Sequence, residues 1–163
     1  MGLSLDRIVP CISETYATVT RPMRENRHGY VWEAMPSVDA LGRVRLAALD
    51  AFLADYATGE RQGRYRAEIL PAFACADRPY GLALCAHFLF LYSGRLTAEF
   101  HLQAVLDRLQ VADEARIFPL LALHGAASPH LDFVAEKLAA TGHAVEISRV
   151  QYEFQRGGNQ FKD

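Results

Sequence analysis

Cys85 and His87 are the residues whose types and spacing come nearest to chemistry, because alternate residues of an extended strand point to one face. A zinc site needs two further ligands, and Cys75 or His101 would have to be brought in by folding. As a nucleophilic pair the two fare worse, since alternate side chains on a strand stand about 6 to 7 Å apart. The plainer expectation is a buried small thiol at Cys85, a hydrogen-bonded strand-end imidazole at His87 and no metal. Arg156, followed by Gly157 and Gly158, has the chemistry to bind a carboxylate or phosphate, against the simpler reading of a solvated arginine in a turn. His28, Trp32 and Glu33 form no pattern, and Trp32 reads as a packing residue.

Several chemistries are excluded by what is missing. No G-x-G turn occurs, so backbone amides cannot cradle a phosphate as in a nucleotide-binding loop. G-x-S-x-G and H-E-x-x-H are absent as well. The 17 basic and 19 acidic residues give a formal charge of -2, which supplies no general field for nucleic acid or an anionic membrane. Neither is expected as a partner. The run Leu82–Tyr92 is interrupted by His87 and is shorter than the roughly 18 to 20 apolar residues that cross a bilayer. With Asp6 and Arg7 among its first apolar residues, the N-terminus does not read as a signal peptide, so the expected compartment is the cytoplasm. Cys11, Cys75 and Cys85 make no C-x-x-C pair and read as reduced thiols.

The elements that must position these residues follow from periodicity. At 163 residues, 51% hydrophobic and 22% charged, the chain suits one ordinary globular domain, with 1–63 an N-terminal helical segment and 64–163 an α/β core. A helix from Ser13 should kink or stop at Pro22. Ser37 caps a helix whose apolar residues, from Val38 to Tyr56, recur every three or four positions until Gly59. Tyr65–Leu70 is a weak strand. Leu82–Ala86 reads as a central strand buried on both faces of a parallel sheet. Thr97 caps a helix through Leu109, Ala115–Leu121 is a strand limited by Pro119, and Ser128-Pro129 opens a helix closed by Gly142. His143–Phe154 is a strand whose apolar phase shifts near Ser148, and Gly157-Gly158-Asn159 turns it into an antiparallel hairpin with residues 160–162. Ligands of open parallel sheets bind beyond the carboxyl ends of the strands. That end would carry His87, Phe88, Tyr92 and Pro119, with Gln155, Arg156 and Asn159 nearby.

These residues carry a resemblance. The run Pro79-Tyr80-Gly81-Leu82-Ala83-Leu84-Cys85-Ala86-His87-Phe88-Leu89 resembles the segment through the fourth strand of class I S-adenosylmethionine-dependent methyltransferases. Arg116-Ile117-Phe118-Pro119-Leu120-Leu121 and Tyr152-Glu153-Phe154-Gln155-Arg156-Gly157-Gly158-Asn159 are similar to the fifth strand and final hairpin of a bacterial branch of that family. The resemblance implies a partial Rossmann-like sheet, mostly parallel with a C-terminal antiparallel hairpin. It places Asp77, Cys85 and His87 on the cofactor side and Tyr92, Gln155, Arg156 and Asn159 on the substrate side, with no catalytic residue assigned.

The chain departs from the family where the cofactor is gripped. Between Pro10 and Cys11 it passes from the family's lead-in to the segment after the second strand, without the first strand, the glycine-rich loop or the acidic residue that holds the ribose. Gly81 stands where these proteins commonly carry Asp. The implied protein is methyltransferase-like, with S-adenosylmethionine as cofactor by resemblance and none if the shortening is real. An active enzyme completed by a partner, and a small α/β interaction module, are the alternatives. In the family's strand order the loss leaves one edge of the fourth strand unpaired, to be covered by the N-terminal helices, the third strand, a homodimer mate or another partner.

Overall fold

A computed structural model describes residues 18, 20–66, 68–70 and 80–157. The chain divides into two compact units, Met1–Ala67 and Glu68–Asp163. In the first, a helical stretch over 20–25 ends three residues beyond Pro22, the Asn26 N–H closing on the Pro22 carbonyl at 2.9 Å. A 3-10 turn, Arg27–Gly29, follows, and the Trp32 indole donates to the Arg27 carbonyl at 2.8 Å. Trp32 therefore packs and pins a turn. Helix α1, Val38–Arg61, begins where the Ser37 hydroxyl accepts the Ala40 N–H at 3.0 Å. It ends under an aromatic cap in which Phe52, Tyr56 and Tyr65 lie 5.2 to 5.6 Å apart, ring centre to ring centre. The Tyr65 ring fills the space that a Cβ on Gly59 would need. Arg64 and Tyr65 are thereby bent back onto α1, and among the described residues of 65–70 the expected strand does not form, Ile69 being a single bridge residue.

The second unit is α/β. Strand β1, Tyr80–Ala86, leads through a 3-10 turn at Phe90–Tyr92 to helix α2, Ala98–Val111, then directly to strand β2, Ala112–Phe118, and on to helix α3, Leu131–Ala140. β1 and β2 pair in parallel, with Leu82 beside Glu114, Leu84 beside Arg116 and Cys85 beside Ile117. The Thr97 hydroxyl caps α2 by accepting the Phe100 N–H at 3.2 Å. β2 starts three residues earlier than its apolar pattern suggests, because α2 runs into it without a loop, and it stops before Pro119. Helix α3 starts after Pro129 rather than on it, and Gly142 at φ 87° closes it as expected.

Burial corrects two expectations. Cys85 and Ile117 face α2 and α3 and pack with Leu89, Phe90, Val105, Val134 and Leu138. The opposite face of β1 is open, with Leu84 72% exposed and Leu82 and Tyr80 also exposed. The strand expected to be buried on both faces is buried on one, because both helices of the unit lie on the same side. Residues 143–150 form no strand, and most of their side chains are exposed. The apolar phase changes from Val145 and Ile147 to Val150 and Tyr152, so no single pairing register buries all four. Residues 151–157 form no strand either, and Asn159 with the returning residues 160–162 of the expected hairpin lies outside the described residues.

Candidate functional site

The carboxyl ends of β1 and β2 converge because the strands are parallel and in register. The last ladder bond runs from the His87 N–H to the Phe118 carbonyl at 2.7 Å. Directly there His87 takes φ 54°, the left-handed region that histidine tolerates better than most side chains. The turn swings the chain out of the sheet. An aromatic ledge results, with the His87 ring 5.9 Å from Phe118 and Phe118 5.9 Å from Tyr152. Phe88 and Tyr92 lie 6.0 Å apart on the following turn.

A buried polar network holds that turn in place. Ser93 donates to the Phe90 carbonyl at 2.6 Å, so its one hydroxyl proton is committed and Ser128, 2.6 Å away, is the donor between the two hydroxyls. The Ser128 oxygen in turn accepts the His130 N–H at 3.2 Å. The His130 Nε2 donates toward the Ser93 and Leu96 carbonyls, both at 3.1 Å. Fully buried His101 places Nδ1 2.6 Å from the Thr97 carbonyl and Nε2 3.1 Å from that of Leu89. Its ring lies 5.1 Å from that of His130. Three elements are joined: the turn after β1, the start of α2 and the start of α3. Sequence reasoning passed over this network, although a helix-capping Thr97 followed four residues later by His101 is its trace in the sequence.

The candidate residues separate on folding. His87, Tyr92 and Gln155 come to the same end of the unit, where the Gln155 amide donates to the Leu123 carbonyl at 3.5 Å and Leu123 bonds Leu91. Cys85 is turned into the core and is 5% exposed, so it is not on the ledge with His87. Arg156 is exposed. Asp77 and Asn159 lie outside the described residues. Among the described residues no three of His, Cys, Asp and Glu gather as a metal site, and no helix is long and apolar enough to cross a membrane.

Charge is organised elsewhere. On the open sheet face Arg116 donates to Glu114 at 2.5 Å, which holds the Glu114 carboxyl below its ordinary range and raises Arg116. At the start of α2 the Glu99 carboxyl is lowered by its own backbone N–H and by the Thr97 hydroxyl.

No known protein family and no solved structure matches the chain. It is 31% identical over 134 residues to an uncharacterized protein of Methanocaldococcus jannaschii, a match that takes in 82% of this chain and 58% of that protein.

Proposed function

We propose that the chain is a methyltransferase-like α/β protein that keeps the strand-end wall of a ligand site and does not bind S-adenosylmethionine or transfer methyl groups on its own. The observation that carries the reading is the parallel β1–α2–β2 unit, whose carboxyl ends bring His87 and Phe118 together. The fuller fold it implies is Rossmann-like, closed by an antiparallel hairpin, of which the βαβ unit is one part. Cofactor binding needs a run of backbone amides at a glycine-rich turn, and the sequence encodes none. Saturation-transfer NMR with S-adenosylmethionine tests the proposal: the expected result is no binding tighter than about 100 μM, and a tighter complex overturns it.

A second reading is an interaction module. It is favoured by the open face of β1, where Tyr80, Leu82 and Leu84 lie side by side on a strand with no charged residue or proline to guard its edge. A second copy or another protein would cover it. Size-exclusion chromatography with light scattering distinguishes the readings, since a monomer that captures no stoichiometric partner counts against the module.

A further inference from the structure

Helix α1 is covered along one side and bare along another. Val38, Leu41 and Gly59 are buried and Phe52 and Tyr56 belong to the aromatic cap, whereas Val44, Ala47, Ala51 and Ala54 are exposed, Val44 to 49%. With half-buried Ala40, these exposed residues recur in alternating steps of four and three, at 40, 44, 47, 51 and 54. That is the spacing by which one helix presents a continuous apolar seam to another. The packing of α1 within its own unit uses the other side of the helix and leaves this seam without a partner.

The charges beside the seam name its occupant. Arg43 and Asp50 stand on the same flank of it, one heptad apart. The ion pairs among the described residues use Arg21, Arg24, Arg64 and Arg116 with their acidic mates, so neither Arg43 nor Asp50 is in one. On the opposite flank Ala48 is uncharged and Asp55 is held by Arg64 and Tyr65. When two such helices pack antiparallel, like flanks meet. Arg43 of each copy then faces Asp50 of the other, twice about a two-fold axis. Parallel packing would set Asp50 against Asp55 of the second copy and leave Arg43 facing Ala48. We propose that α1 pairs antiparallel with α1 of a second copy of this chain, with Ala47 near the two-fold axis. The small seam residues let the two helices approach closely, and the reciprocal ion pairs fix direction and register. This surface is separate from the open face of β1 and does not depend on the methyltransferase-like reading.

Sedimentation velocity of the full-length chain tests the proposal. A monomer–dimer equilibrium is expected between about 1 and 500 μM protein. Arg43→Asp or Asp50→Arg alone turns two attractions into two repulsions and should weaken the dimer about tenfold. Combined in one chain, the two reversals re-form the reciprocal pairs with exchanged signs and should return the dimer to within about twofold of the parent. Damage to the fold would not be rescued in this way. Leu84→Arg, on the open face of β1, should leave the dissociation constant unchanged. A monomer at every concentration, or a doubly reversed chain that dimerises as weakly as either single variant, overturns the proposal. So does a dimer that the reversals leave intact and Leu84→Arg dissolves, which would assign self-association to the sheet.

Discussion

His87 sits at φ 54° because the chain must leave the sheet immediately after its last ladder bond, and a side chain in that region costs about 1 kcal/mol or more. The cost grows with β-branching. His87→Val should therefore lose about 1 to 2 kcal/mol in urea denaturation, while His87→Gly, free of the backbone penalty, stays within about 0.5 kcal/mol of the parent. If both variants were equally destabilised, the backbone conformation would not be the cause. Gly59 is constrained for a different reason, the Tyr65 ring that occupies its Cβ position. Gly59→Ala should destabilise the chain by about 1 to 3 kcal/mol by displacing that ring, read as a fall in thermal midpoint. Tyr65 also donates to Asp55 at 2.6 Å, and Arg64 grips the same carboxylate through two nitrogens at 2.5 and 2.8 Å. The Arg64 hydrogen bonds, with help from Tyr65, hold the Asp55 carboxyl well below its ordinary range, and the bond to Asp55 raises the Tyr65 phenol. A depressed carboxyl contributes its full stability above its unfolded value and loses it progressively as pH falls from there through the folded one. Asp55 should accordingly stay ionised in the folded chain through the pH window in which ordinary carboxylates protonate, while the stability it lends declines across that window. On the alkaline side, ultraviolet titration should show a tyrosine ionising above the ordinary phenol range, absent in Tyr65→Phe and lowered in Asp55→Asn.

At the scale of elements, what the sequence made legible was whatever is settled locally. Ser37 and Thr97 cap their helices as their side chains require, and Gly142 stops α3. Both parallel strands were evident from short apolar runs bounded by turn residues. The expectations that failed needed information about neighbours. The alternation in Val145, Ile147, Val150 and Tyr152 looks like a strand, but a strand also needs an edge to pair with in one register. Tyr65 has strand propensity, yet its ring finds a better contact over Gly59. The apolar run of β1 does not reveal that both helices of the unit cover the same face. The candidate site was legible in part: His87 and Tyr92 stand at the strand end, whereas Cys85 differs from His87 by two residues and still turns into the core. The network of Ser93, Ser128, His101 and His130 joins residues far apart in the chain and was not foreseen. Ser93→Ala and Ser128→Ala should each cost about 1 to 2 kcal/mol, because each leaves a buried partner unsatisfied. The double variant should cost less than their sum, and strict additivity in a double-mutant cycle would mean the two hydroxyls do not act together.

At the scale of the whole molecule, the described residues of the second unit give two parallel strands with one covered face, where sheets of this kind are ordinarily covered on both sides. In the proposed reading the site is the aromatic strand-end ledge of the βαβ unit, and the sequence carries no glycine-rich turn to hold an adenosyl cofactor. Isothermal titration calorimetry of S-adenosylmethionine into the full-length chain addresses this most directly. The account predicts only heats of dilution up to millimolar ligand, and a one-site isotherm with a Kd below about 100 μM would contradict it.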